Sequence, residues 1–203
     1  MRRATLFLAA ALALAPAAAA QTLTKEERDR AMKHLEATRK ALQEATRGLS
    51  DEQWNFKPAP DRWSVAECAE HLAVSEDVIL QLVTERILKQ PPSPEKKEAA
   101  QGLEETVLKV IPDRTERFQA PDFLQPAKRF ENPGALMKHF AESRGRSIEY
   151  VKTTGDELRN FHMDHPVIKG LDAYQWLLLM SAHTERHTKQ LLEVKADANF
   201  PKK

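Results

Sequence analysis

Apolar residues along the chain fall into a few long stretches at helical spacing, separated by proline-rich breaks. Over residues 24–49, Ala31, Leu35, Thr38, Leu42, Ala45 and Leu49 recur at steps of three and four with charges between them, the period of an amphipathic helix. Pro58 and Pro60 interrupt the pattern between Ser50 and Trp63. A second helix is predicted over 64–89, with Leu72, Val78, Ile79, Leu82 and Val83 toward the core, until Pro91, Pro92 and Pro94 stop it. Residues 95–111 predict a shorter helix through Leu103, Val107 and Val110, and residues 112–133, with further prolines at 121 and 126, an irregular surface segment. A third long helix opens at Asn132-Pro133 and places Leu136, Phe140, Ser143, Ser147 and Val151 on one side. The last, over 173–196, is the most apolar. No strand-like alternation, glycine-rich phosphate loop or repeat interrupts this order, and 6 glycines in 203 residues suit helices better than sheets. The class predicted is all-α.

Composition changes the picture at the N-terminus. Met1-Arg2-Arg3 is a positive start, residues 4–14 are uncharged and apolar, and Ala18-Ala19-Ala20 before Gln21 fits a small-residue cleavage site. Residues 1–20 therefore read as a signal peptide and 21–203 as one exported domain, periplasmic or secreted. Arg2-Arg3 is also a weak twin-arginine signal. The apolar run is too short to cross a bilayer, and no other stretch comes close, so no membrane anchor is expected. Removing 20 of 203 residues leaves 183 and takes away two arginines, turning 31 basic against 30 acidic residues into 29 against 30. A balance so near zero argues against nucleic acid or an anionic membrane as partner. The lone cysteine, Cys68, can form no internal disulfide and reads as a small buried hydrophobe. Oligomeric state is left open between monomer and homodimer.

The chemistry lies in three histidines. On the last helix Trp176, Met180, His183, His187, Leu191 and Val194 form one inward stripe, with the two histidines four residues apart. A pair at that spacing can grip one metal ion together with a ligand from a facing helix, and His71 on the second helix is the candidate. Three protein ligands leave open positions, at which a metal can acidify a bound water or take a substrate group. The alternative is a set of core histidines satisfied by hydrogen bonds. His34 and His139 lack a partner at metal spacing, and His162-x2-His165 precedes Pro166 in a loop.

The stretch Leu49-Ser50-Asp51-Glu52-Gln53-Trp54-Asn55-Phe56-Lys57-Pro58, then Asp61-Arg62-Trp63-Ser64-Val65-Ala66-Glu67 and His71-Leu72, resembles the opening of helix two in the DinB-like superfamily, with its YfiT-type thiol transferases. His183-x3-His187-x2-Gln190 resembles that family's final motif. The resemblance implies an up-down-down-up four-helix bundle, with a short extra helix and the long proline-rich connection between helices two and three. It also implies a divalent metal, commonly nickel or zinc, on His71, His183 and His187. Glu67, one turn before His71, could orient that ring or act as a catalytic base, although Ser64-Val65-Ala66-Glu67 is equally a capping box. Gln190 could reach a substrate or brace a ligand; Trp63 and Trp176 could line a pocket or simply fill the core. Glu185 and Arg186, between the histidines, should point outward. The 112–133 segment, with Phe118, Phe123 and Phe130, is expected to cover the mouth of the metal pocket. These features suggest a metal-dependent hydrolase or transferase acting on an unidentified small-molecule substrate, or a non-catalytic module that the same metal stabilises.

Overall fold

The computed structural model describes residues 22–202, so the predicted signal peptide lies outside the described residues. Helix α1 (Lys25–Thr46) starts at a capping box in which Thr24 Oγ1 accepts from the Glu27 amide at 3.2 Å and the Glu27 carboxylate accepts from the Thr24 amide at 2.8 Å. The chain turns out of it through Gly48 at φ +65°, a left-handed conformation that favours glycine. The predicted break that follows holds a short helix, α2 (Asp51–Asn55), capped by Ser50 and Gln53 and pinned by the buried Trp54. Helix α3 (Val65–Gln81) again opens on a capping box, Ser64 with Glu67. Its predicted continuation to Lys89 is not α-helical: a π-helical turn over Leu82–Arg86 gives way to a 3-10 turn at Ile87–Lys89.

The single helix predicted over 95–111 is two pieces, α4 (Lys97–Ala100) and α5 (Leu103–Val110), because Gly102 at φ +83° breaks the run. Helix α6 (Pro133–Thr153) follows the Asn132 cap, and α7 (Ala173–Lys195) follows a capping box of Asp172 and Gln175. Between them two strands of two residues each, β1 (His162–Met163) and β2 (Leu171–Asp172), pair antiparallel. They are too short to show alternation in the sequence.

The long helices form an up-down-down-up bundle in which α1 neighbours α7 and α6, and α3 neighbours α7 and α6. Tyr174 Oη donating to the Glu27 carbonyl at one end, and Lys195 Nζ to the Ala45 carbonyl at the other, mark α1 and α7 as parallel. Arg28 donating to the Val151 carbonyl marks α1 and α6 as antiparallel. Val65 and Leu72 in the first half of α3 pack with Leu191 and Val194 at the end of α7, so α3 runs antiparallel to α7 and parallel to α6, and the chain between α3 and α6 must travel back along α3, 17 residues or about 26 Å. That return accounts for the length of the connection.

Two apolar clusters fill the bundle, one around Leu35, Val83, Val107 and Leu177, the other around Leu42, Leu72, Phe140 and Leu191. Where all four long helices meet there is a buried ion pair. Arg144 of α6, wholly buried, donates to both Glu76 carboxylate oxygens at 2.5 and 2.8 Å. The same guanidinium donates to the Leu35 carbonyl and Thr38 Oγ1 of α1 and to Thr184 Oγ1 of α7, at 2.6 to 2.8 Å. Among the described residues no helix is long and apolar enough to cross a membrane.

Candidate metal centre and its cavity

The antiparallel packing of α3 on α7 sets His71 against His183 and His187, and one ring nitrogen from each of the three lies within 4.8 Å of the other two. His71 Nε2 stands 3.1 Å from His183 Nε2. Two nitrogens bound to one ion at about 2.1 Å each, at angles between octahedral and tetrahedral, lie about 3.0 to 3.4 Å apart, so this spacing fits a shared cation. Among the described residues this is the one group of three such side chains so placed.

The outward-facing nitrogens fix the protons. His71 Nδ1 lies 2.9 Å from the Leu124 carbonyl, which can only accept, so Nδ1 carries the hydrogen and Nε2 presents a lone pair. His187 Nδ1 lies 2.8 Å from Gln190 Oε1, and Arg114, which can only donate, contacts the same oxygen at 3.3 Å. The oxygen of the Gln190 amide therefore faces both, and His187 Nε2 is likewise left with a lone pair. Trp63 walls the cluster, its ring 5.0 Å from that of His71 and stacked 5.9 Å from that of His187. Burial, followed by repulsion from the neighbouring imidazoles, holds His183 and His187 well below the usual histidine range. Burial also lowers His71, against its hydrogen bond to Leu124. Neutral imidazoles with inward lone pairs are the protonation state a metal requires.

The site residues anticipated from sequence separate here. Glu67 remains in its cap: the Ser64 amide donates to Oε2 at 2.8 Å and Lys57 Nζ to Oε1 at 3.0 Å, so its carboxylate is spent away from His71 and does not line the cavity. Cys68 is wholly buried and burial pushes its thiol up, which suits a packing group and not a nucleophile. His139 pairs with Asp77 at 2.7 Å, and His162 and His165 assemble with no third ligand. Arg186 does not point outward as expected: it is 8% exposed and donates to the carbonyls of Ile111, Asp113 and Glu116.

Arg186 identifies what a helical wheel missed. The 112–133 segment lies over the site and is clamped at both ends by the residue preceding a histidine of the cluster. Arg186, before His187, holds its start. Glu70, before His71, accepts from the amides of Ala127, Lys128 and Arg129 at 2.8 to 3.2 Å and from the Arg129 side chain. Phe118, Phe123 and Leu124 of this segment line the cavity, as do Trp63 and Trp176, whereas Phe130 packs away from it, against the second apolar cluster and His139. The cavity measures about 760 Å³, and all three histidines open into it.

A sequence model of the DinB superfamily matches residues 34–191, taking in every one of these side chains. The chain belongs to the DinB superfamily. It is 30% identical over 149 residues to the uncharacterized protein YuaE of Bacillus subtilis (strain 168), covering 73% of this chain and 87% of that one. It also shares its fold with YfiT from Bacillus subtilis, described as a probable metal-dependent hydrolase with an unusual four-helix bundle topology. That match has a TM-score of 0.60 at 16% identity and covers 89% of this chain and 93% of the other. In this DinB-superfamily member the bundle is distinguished by the parallel α3–α6 pair and the return segment it demands.

Proposed function

We propose that this protein is a metal-dependent hydrolase or transferase that holds a divalent cation, zinc or nickel, on His71, His183 and His187. The observation that carries this is the convergence of three neutral imidazoles, two with lone pairs aimed inward, at the wall of a ligand-sized cavity. A cation bound there would supply Lewis acidity, lowering the pKa of a bound water or thiol enough to make a nucleophile near neutral pH. The chain's own contributions are positional. Leu124 O and Gln190 Oε1 lock two of the ring tautomers, Trp63 packs against the rings of His71 and His187, and the 112–133 segment supplies one wall of the cavity. YfiT's description points the same way for that protein. The residues lining the cavity favour catalysis over a purely structural metal, because a stapling site has no use for an adjacent cavity. We further propose that the protein is exported, on the strength of residues 1–20, which moves thiol transfer behind hydrolysis because low-molecular-weight thiols are scarce outside the cytoplasm.

The test is metal content of purified protein. His71→Ala, His183→Ala and His187→Ala should each lose most of the metal, while His34→Ala and His139→Ala keep it. Full occupancy in His71→Ala would refute the assignment.

A further inference from the structure

The cavity is graded from end to end. On α3 and the π-helical turn that continues it, His71, Ser75, Val78 and Leu82 follow one another at steps of four, three and four, and all line it. On α7 the matching stripe is Gln190, His187, His183, Leu179 and Trp176. Because α3 and α7 run antiparallel, Val78 and Leu82 share one end with Leu179 and Trp176, and Val167 from the turn between the strands joins them there. The other end holds Arg62, Arg114 and Arg117, against which stand two acidic groups, Asp61 on the wall and Glu193 behind Arg114 and Arg62. The histidines lie between.

Two further observations point to an absent ligand. Of the five large hydrophobic residues left exposed among the described residues, four line this cavity: Val110, Phe118, Phe123 and Val167, the two phenylalanines 59% and 62% exposed. Exposed apolar surface gathered at one concave place marks a binding site, whereas scattered singles need no explanation. The second is Ser75. Thr38, Thr84, Ser147 and Thr184, all on helices, return their hydroxyl to a carbonyl one turn back, whereas Ser75 Oγ and Thr188 Oγ1 are buried without a partner, and of these two Ser75 lines the cavity. An unmade hydrogen bond beside the histidines is a cost to the free protein that a bound polar group would remove.

We propose that the substrate is an acidic amphiphile. Its apolar body lies along Val78, Leu82, Leu179 and Trp176, its reacting polar group sits at the histidines within reach of Ser75, and its acidic end faces the arginines. This rests on the same cavity being the site of reaction, and it makes a demand that metal loading does not.

Calorimetric titration of the metal-free protein with hexanoate, octanoate and decanoate, and with octyltrimethylammonium as a cationic control, tests it. Affinity should rise about fourfold for each added methylene, the increment for burying one CH₂. The cation should bind at least tenfold more weakly than the acid of equal chain length. Val78→Thr, of the same shape, should reduce the chain-length increment, and Arg117→Ala should weaken all three acids by a common factor while leaving the increment intact. Ser75→Ala should raise the thermal midpoint of the free protein, since it removes an unpaired buried hydroxyl; a residue with a structural role would lower the midpoint. Affinities independent of chain length, or equal for acid and cation, would overturn the proposal even in a protein that takes up metal normally. Chain-length dependence in a protein that binds no metal would uphold the ligand class and refute the metal.

Discussion

Two polar clusters start from α3 about one turn apart, Glu76 reaching Arg144 of α6 and His71 reaching His183 and His187 of α7, and they differ in who satisfies them. Glu76 and Arg144 are finished by the protein: the guanidinium meets two carboxylate oxygens, a carbonyl and two hydroxyls, so the charge is fully solvated by the fold. Of the three histidines, His71 and His187 are finished on their outer sides, where Leu124 and Gln190 accept their Nδ1 protons, and on the inner side the fold offers only the 3.1 Å approach of His71 Nε2 to His183 Nε2. A polar cluster closed on all sides belongs to the architecture. One closed at the back and open at the front belongs to a ligand.

The sharpest way to break that contrast is to remove one member of each cluster. Glu76→Ala leaves the Arg144 charge buried and unpaired and should cost about 3–5 kcal/mol by denaturant unfolding. His183→Ala in metal-free protein should cost about 1 kcal/mol or less, because it discards a group whose inner nitrogen was not paired with a proton donor from the fold. Equal costs would erase the distinction.

Metal and pH separate the clusters next. A cation at a hundred times its dissociation constant should add about 2.7 kcal/mol to the native state, and none of it in a His71→Ala variant. The three imidazoles are depressed in the fold. Above the unfolded value of about 6.5 they are neutral in both states, and their protonation then has no effect on stability. Below it the unfolded chain takes up protons that the native state refuses, so stability falls from pH 6.5 down through the lowered native values. Denaturant midpoints at pH 7.5 and 5.5, with and without metal, should show metal-loaded and metal-free protein well apart at the higher pH and close together at the lower.

The smallest expected effect concerns the back of the open cluster. Gln190→Ala frees His187 to rotate and should weaken metal binding by about 10-fold to 100-fold, while leaving the metal-free unfolding midpoint nearly unchanged. A loss of stability with metal affinity preserved would make Gln190 a structural residue.

What could be read from the sequence were features with a local period. The stripe Trp176, Met180, His183, His187, Leu191 and Val194 placed the histidines on the core side of their helix, and Ser64 with Glu67 announced the cap that α3 uses. Arg144 fits the apolar register of α6, three or four residues from Phe140 and Ser147, but its charge disguised a central position. Its partner Glu76 lies 68 positions away, where no periodicity reaches. Arg186 was misread because a helical wheel knows only one helix, and its solvent side is roofed by a segment from elsewhere in the chain. Leu124 could not have been found at all, since it acts through its backbone carbonyl and any residue at that position offers one.

The parallel pairing of α3 with α6 also governs when the site comes into being. His71 meets Leu124 across 53 positions and His183 across 112, so neither contact belongs to any unit that could fold early from neighbouring residues. The ligand set closes only after the return segment has been laid down and α7 has docked. A cation that recognised only the finished cluster would hold the native state against unfolding without hastening its formation.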